Sequence, residues 1–470
     1  MPAPTEGERL LGLAEQFVGM MDKASLKAKL AKAGAKADTP IGDVAKDVAG
    51  CRVILYTNGD VERFRNSGIL RDNFDVDYDR SKMHYPESKE EGAEFFISEN
   101  WVVKLSEARC ALPEYRRIAG LRCLADVEFP PAPGLSLVTG GNGAGKTSLV
   151  EAIHLLGYGR SFRGRVRDGL IRTGSPNLEL YAEWLDGQGR TRRAGLRHGG
   201  SDWEARLDGA PAPSLTELCA ELAVVTFEPG SHELIAGGAE HRRRFLDWAL
   251  FHVEPAFLPV WRRYARALKQ RNALLKRQPA PSALAPWDRE LAEAGESLSR
   301  LRADYLDRLE PVLAGTAREF LPELGQAGLR FLPGWRREDS PLEDALLLAR
   351  ERDLALGYTS LGPHRADWRV DYVGLPGREA LSRGQEKLTA LACVLAQARA
   401  FAADKGEWPL VCLDDLASEL DQAHRHQALA SVLSSGAQVI LTATEAPDDL
   451  DGALAPQKRF HVEQGQLQER

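Results

Sequence analysis

Short apolar runs bounded by glycine, and longer stretches with apolar residues at helical spacing, divide this chain into distinct elements. Leu135-Ser136-Leu137-Val138-Thr139, preceded by Gly134, predicts a strand, and Leu149, Val150, Ala152, Ile153, Leu155 and Leu156 follow at the spacing of a helix. A strand therefore feeds a helix through the glycine-rich stretch between them. From Leu178 to Leu185 and beyond, β-prone runs alternate with the turn-rich Asp186-Gly187-Gln188-Gly189 and Asp208-Gly209, which predicts antiparallel hairpins attached to the sheet that the first strand enters. Residues 240–325 lack such turns. There Leu291, Ser297, Leu298, Leu301, Tyr305, Leu306 and Leu309 line one helical stripe, and Pro286-Trp287 marks a helix boundary. Heptads are not sustained, so a compact helical lobe is expected rather than long arms. Leu410-Val411-Cys412-Leu413 and Gln438-Val439-Ile440-Leu441 read as buried strands, and Lys387 to Ala398 as a helix. Upstream, residues to about 45 are rich in Ala, Lys, Glu and Leu and suggest helix, with Lys23, Lys27, Lys29 and Lys32 on part of its surface. Cys51 to Tyr56 then reads as a buried strand, Asn58-Gly59 as a turn and Asp60 to Arg65 as a helix.

The loop between the first strand and helix is Gly140-Gly141-Asn142-Gly143-Ala144-Gly145-Lys146-Thr147-Ser148. It matches G-x-x-x-x-G-K-[ST] at every fixed position, in the strand-loop-helix context that pattern requires. Its glycines let backbone N–H groups close around phosphate oxygens at a helix N-terminus, whose partial positive charge favours an anion. Gly140, Asn142, Gly143, Gly145 and Ser148 are therefore expected to cradle the nucleotide phosphates. Lys146 is expected to meet the β/γ-phosphates as a catalytic cation, and Thr147 to ligate Mg²⁺. The Leu410 to Leu413 strand ends in Asp414-Asp415, which places carboxylates at the C-terminal end of a buried parallel strand. Asp414 is the expected Mg²⁺ organiser.

At 470 residues, with 43% hydrophobic and 27% charged residues, the composition is that of a globular protein of about three domains. A formal charge of −7 means that nothing global drives the chain onto nucleic acid, so such binding needs local basic patches. Two are evident: Arg160, Arg163, Arg165, Arg167 and Arg172 against Asp168, and Arg242, Arg243 and Arg244 with Arg262, Arg263, Arg266, Lys269 and Arg271. Arginines of this kind suit phosphate binding without sequence readout. No apolar run approaches the ~18 residues of a membrane span, so a cytoplasmic protein with no membrane partner is expected. The cysteines Cys51, Cys110, Cys123, Cys219, Cys393 and Cys412 lack any C-x-x-C spacing, which points to reduced thiols.

Two family resemblances cover the chain. Asp47-Val48-Ala49-Gly50-Cys51-Arg52-Val53, Phe95-Phe96-Ile97-Ser98 with Trp101 to Leu105, and Ala111 to Tyr115 with Ala119 to Cys123 resemble part of the synthetase domain of RelA/SpoT-type guanosine polyphosphate enzymes, over about residues 20–123. The resemblance implies that Asp47 binds Mg²⁺. The family's E-[IV]-Q strand, which supplies a second carboxylate, is missing, and Asn100 stands where histidine is common, so no synthetase activity is expected. All methionines lie at positions 1, 20, 21 and 83, which makes a fused polypeptide the expected product.

From about residue 118 the chain resembles the RecF family of DNA repair ATPases. Besides the phosphate loop, the resemblance rests on Gly159-Arg160-Ser161-Phe162-Arg163, Arg242 to Trp248, Lys269 to Asn272, Gly362 to Asp367, Leu381-Ser382-Arg383-Gly384-Gln385 and Leu413 to Asp421. It implies an α/β fold: an ABC-type P-loop ATPase head (lobe I, 118–210 and 356–470) with a mainly helical lobe II (211–355), behind the RelA/SpoT-like fragment (1–117). It also implies ATP and Mg²⁺ as cofactors and an ATP-dependent homodimer. In that dimer Ser382 and Gly384 bind the γ-phosphate held by the other subunit, and Asp421 lies near the partner site. Asp415 stands where the ATPases that this segment resembles usually carry Glu, and by that resemblance is the expected polariser of the attacking water. Implied partners are DNA with single-strand/duplex junctions or gaps, with Arg160, Arg163, Arg165, Arg167, Arg243 and Arg271 as the expected contacts, and RecR and RecO-type mediators in recombinational repair. Thr442-Ala443-Thr444 replaces a switch histidine, which suggests slow hydrolysis, and no glutamine-loop residue is evident between Val224 and Pro229. Arg116 and Arg117 interrupt the expected apolar first strand and are expected to weaken the edge of the nucleotide-binding sheet. The alternatives are a stringent-response synthetase fused to an ATPase and a non-hydrolysing, ATP-switched scaffold.

Overall fold

A computed structural model describes the backbone of residues 74–84 and 98–105, and residues 117–470 apart from 164–168, 187–188, 201, 278–280, 376–380, 448–449 and 451. The chain divides into two compact units, Met1–Tyr115 and Arg116–Arg470. In the first, β1 (Phe74–His84) pairs antiparallel with β2 (Ser98–Leu105), with a register irregularity between Asp77 and Lys82. The readings at Lys23 to Lys32, Asp47, Cys51 to Tyr56 and Asp60 to Arg65 lie outside the described residues.

The second unit is built on two sheets. One has the order β10 (Val224–Phe227), β13 (Leu410–Leu413), β14 (Val439–Ala443), β5 (Leu135–Thr139), β15 (Lys458–Glu463), β16 (Gln466–Glu469). Its first five strands are parallel and β16 closes the edge antiparallel. Because side chains alternate across a strand, the central strands feed two cores. Leu135, Leu137, Val225, Phe227, Val411, Leu413, Val439 and Leu441 point into the larger core, while Val138, Val224, Cys412 and Ile440 point into the smaller.

The smaller core is closed by α1 (Lys146–Tyr158) and the antiparallel sheet β4 (Leu124–Glu128), β3 (Arg117–Leu121), β6 (Leu178–Leu185), β7 (Thr191–His198), β8 (Trp203–Leu207), β9 (Ala210–Pro211). The hairpins form a sheet of their own, attached to the parallel sheet through this core. One expectation is corrected. Arg117 begins a strand of this second sheet, where its guanidinium forks onto Asp126 at 2.7 and 2.6 Å on the exposed surface. The edges of the parallel sheet are β10 and β16, so Arg117 lies at neither; Arg116 lies outside the described residues.

The larger core is closed by helices: α2 (Ala239–Val253), α3 (Phe257–Leu275), α4 (Ala285–Phe320) and α6 (Arg383–Lys405), together with a hairpin of β11 (Ala327–Leu332) and β12 (Asp367–Tyr372). Pro286 sits in the first turn of α4, where its missing N–H costs nothing. Three arginines fasten this helical region from within. Arg242 forks onto Asp367 and Arg302 onto Asp247. Arg271, with no exposed surface, donates to Asp288 at 2.6 Å, Asp353 at 2.7 Å and the Thr359 hydroxyl at 2.9 Å. Asp353 lies on the short helix α5 (Arg350–Leu356). Two further short helices, α7 (Leu416–Glu419) and α8 (Gln422–Leu433), follow β13.

Candidate functional site

The phosphate loop leaves β5 and enters α1 under tight steric control. Gly140 has φ 156°, and a Cβ there would lie 2.3 Å from the Val462 carbonyl oxygen; Gly145 has φ 127°, and a Cβ there would lie 2.9 Å from the Leu124 side chain. Both positions therefore demand glycine, for a fit against β15 and β4 as well as for phosphate approach. The Lys146 ammonium is nearly buried and donates to the carbonyls of Gly140 at 2.8 Å and Gly141 at 3.1 Å.

β13 delivers Asp414 beside this loop. Its carboxylate is 1% exposed, and Oδ1 accepts from the Thr442 hydroxyl at 2.6 Å. Burial pushes the carboxyl pKa up, while the Thr442 and Thr147 hydroxyls hold it down. Oδ2 is buried and makes no hydrogen bond among the described residues. A buried carboxylate oxygen without a donor fits a cation ligand. No group of three or more His, Cys, Asp or Glu side chains among the described residues forms a metal cage.

Asp415 adopts φ 51°, the left-handed region that Asp tolerates better than most residues. Its N–H donates to Thr442 Oγ1 at 2.9 Å, and its Oδ2 accepts from the Ser418 hydroxyl at 2.7 Å. Thr442, wholly buried on the neighbouring strand β14, thus fixes both acidic residues at once. Its signal in the sequence was the Thr-Ala-Thr closing an apolar strand, which drew attention only for the histidine it lacks.

Glu228 is the second residue missed. It follows β10, adjacent to β13 in the sheet, and caps the next turn by accepting from Gly230 N at 2.6 Å. Burial raises its pKa, the Gly230 N–H lowers it, and Asp414 raises it further. An acidic side chain therefore stands where the segment from Val224 to Pro229 showed no glutamine, within the electrostatic field of Asp414.

Ser382 caps α6: its Oγ accepts from Gln385 N, while the Gln385 side chain accepts from Ser382 N–H. Ser382, Arg383 and Gly384 are exposed, and nothing lies within 4 Å of a Cβ placed on Gly384. Asp421 caps α8, accepting from His424 N at 3.0 Å and pairing with the His424 ring at 2.7 Å. Its backbone and side-chain hydrogen bonds with His424 lower its carboxyl pKa.

The basic residues separate into two kinds. Arg163 is about half exposed and 3.9 Å from Glu151, a buried acid on α1 that Arg122 also engages at 2.8 and 2.9 Å. Partial burial lowers the Arg160 pKa, and the neighbouring Arg244 lowers it further. Arg243 donates to the Ala366 carbonyl at 2.8 Å. Arg165 and Arg167 lie outside the described residues. Arg271 is removed from the expected DNA contacts: its guanidinium is fully buried between Asp288 and Asp353, and a phosphate cannot reach it without opening the helical core. Arg242 is likewise turned inward, holding Asp367 and the carbonyls of Leu234, Ile235 and Gly237.

Residues 116–448 match the family model described as the RecF/RecN/SMC N terminal domain. The DNA replication and repair protein RecF of Xanthomonas axonopodis pv. citri is 60% identical over 351 residues, 74% of this chain and 95% of that protein. The RecF of Stenotrophomonas maltophilia is 58% identical over 360 residues, 75% and 99% of the two chains. A solved structure of the recombination mediator protein RecF-ATP in the RecFOR pathway superimposes with a TM-score of 0.67 at 25% identity, covering 76% of this chain and 99% of that one. Matched by that family model over residues 116–448 and similar to these relatives along nearly their whole length, the chain belongs to the RecF family of DNA replication and repair ATPases.

Proposed function

We propose that this protein is an ATP-dependent DNA-binding factor for recombinational repair and replication-gap processing, which dimerises on ATP and hydrolyses it slowly. The observation that carries the ATP-driven step is the α6 N-terminus: Ser382 and Gly384 are exposed, and nothing among the described residues lies within 4 Å of a Cβ placed on Gly384. A helix N-terminus with spare donors suits the γ-phosphate of a nucleotide on a second copy. Asp421, exposed at the start of α8, is assigned to the same interface. Within one copy, the Lys146 ammonium exchanges the Gly140 and Gly141 carbonyls for phosphate oxygens. The Thr147 hydroxyl and Asp414 would hold Mg²⁺, whose charge would offset that of the phosphates when bound. Asp415 orients the attacking water once its carboxylate leaves Ser418.

The same reading assigns Arg160, Arg163, Arg165, Arg167 and Arg243 to DNA phosphates and expects RecR and RecO-type proteins as partners in the cytoplasm. Among the described residues no helix is long and apolar enough to cross a membrane. Fluorescence anisotropy on gapped duplex DNA, with and without ATP, tests the reading. ATP should tighten binding, and Lys146→Ala should abolish both nucleotide binding and that tightening. Equal DNA affinity with and without nucleotide would refute it. For residues 20–123 we propose descent from a RelA/SpoT-type synthetase without its activity. Purified protein given ATP and GTP should make no guanosine tetra- or pentaphosphate, and product that disappears in Asp47→Ala would overturn this.

A further inference from the structure

Helix α3 carries five cations, Arg262, Arg263, Arg266, Lys269 and Arg271, and no acidic residue. Arg271 faces the core and Arg263 turns to Glu290 and Glu293 on α4. Arg262, Arg266, Lys269 and, at the C-cap, Lys276 are exposed, with no ion pair among the described residues. At 100° per residue these four fall on the side of α3 away from its core, over a length of roughly 20 Å. Glu290 on α4 lies within the field of Arg266, and Glu351 is exposed on the neighbouring α5.

Beside this row stand two partly exposed aromatic rings. Trp261 is 42% exposed and Tyr358 41%. On the helix wheel Trp261 and Asn272 lie on the same flank of α3, opposite the flank of Arg263. Asn272 fixes the loop that carries Tyr358, since its Oδ1 accepts from both Thr359 N at 2.8 Å and Thr359 Oγ1 at 2.7 Å. A second bolt joins His364 of that loop to the Tyr264 hydroxyl at 2.6 Å. Tyr358 is thus held on a pinned loop rather than a loose one. Arg365 lies over its ring at 5.3 Å, and Arg352 reaches the Ser360 hydroxyl beside it.

We infer that this face of the helical region is a track for single-stranded nucleic acid, in which the α3 cations follow the phosphates and Trp261 and Tyr358 receive unstacked bases. The inference rests on the DNA-binding function proposed above and assigns a strand type and a place to it. Duplex DNA offers its phosphates but keeps its base faces stacked, so exposed aromatic rings beside a cation row are useful only to a single strand. A protein partner would be met by apolar area depleted of charge, whereas this row is dense in charge of one sign.

The test is anisotropy of labelled oligo-dT and of a duplex of equal length, measured on the full chain. Trp261→Ala with Tyr358→Ala should weaken oligo-dT binding by about tenfold or more and leave duplex affinity within about twofold, and Tyr358→Phe should restore much of the loss. Arg266→Glu with Lys269→Glu should lower the slope of log K against log salt on oligo-dT by about 1.4, because each phosphate left without its cation removes ~0.7 from the slope. Thermal unfolding checks that both variants fold. Unchanged oligo-dT affinity and slope would overturn the track while leaving duplex binding, and the wider function, intact. Equal losses on duplex and oligo-dT would overturn the single-strand assignment. Wild-type protein that binds neither DNA would bring down the function and the track together.

Discussion

The Thr442 hydroxyl donates to Asp414 Oδ1 at 2.6 Å and accepts from the N–H of Asp415 at 2.9 Å. One buried oxygen on β14 therefore sets the rotamer of the Asp414 carboxylate and supports the left-handed backbone of the next residue. Thr442→Val keeps the shape and removes both bonds. It should cost about 1–3 kcal/mol of stability, because the Asp415 N–H and Asp414 Oδ1 lose their partner. It should also raise the Mg²⁺ concentration needed for half-maximal ATP hydrolysis, while Thr442→Ser restores both. Urea unfolding and a Mg²⁺ titration check this; an unchanged Mg²⁺ midpoint would reduce Thr442 to a packing residue.

Asp415→Asn should bind ATP as wild type does and hydrolyse it at least tenfold more slowly, since the carboxylate is assigned to water rather than to nucleotide. Single-turnover hydrolysis with a parallel binding isotherm separates the two effects. Hydrolysis at the wild-type rate would remove Asp415 from the catalytic role.

The two kinds of arginine should respond differently. Arg271→Ala leaves Asp288 and Asp353 buried without their shared cation and should destabilise the fold by about 3–5 kcal/mol. Arg163→Glu should leave stability within about 0.5 kcal/mol and lower the salt slope of duplex binding by about 0.9. Denaturant midpoints and salt titrations on both variants decide the matter; a stable Arg271→Ala with a reduced salt slope would return that residue to the DNA surface.

What the sequence disclosed was what is local. The phosphate loop and the Asp414 strand end are set by a few consecutive residues whose backbone and chemistry are inseparable. Arg271 was misassigned because it stands among surface cations, although Tyr264, Ala267, Arg271 and Leu275 recur on the buried side of α3. Its acidic partners lie 17 and 82 residues away, beyond any local pattern. Thr442 escaped notice because its bond to Asp414 spans 28 residues and depends on β13 and β14 lying side by side. Alternation revealed the hairpin strands but not that they form a sheet of their own, because pairing partners lie outside any local pattern.

Burial holds His252 down to about 4 and His364 down to about 4. Their folded values lie below the ordinary 6.5, so each contributes stability that is present above pH 6.5 and lost as pH falls from there toward 4, where the unfolded chain takes up the proton first. Urea unfolding between pH 7.5 and 5 should show this decline. His252→Phe, placed among Trp248, Phe251 and Phe401, should remove about one proton from the slope. An unaltered slope would mean that His252 does not titrate on unfolding in this range.

The central claim, that ATP joins two copies through the α6 N-terminus, is tested most directly by sedimentation velocity on wild type and Ser382→Arg, each with and without ATP and Mg²⁺. The account predicts a wild-type shift from monomer to dimer only with ATP, and a Ser382→Arg protein that binds ATP with wild-type affinity yet remains monomeric. A Ser382→Arg protein that dimerises on ATP as readily as wild type would contradict it.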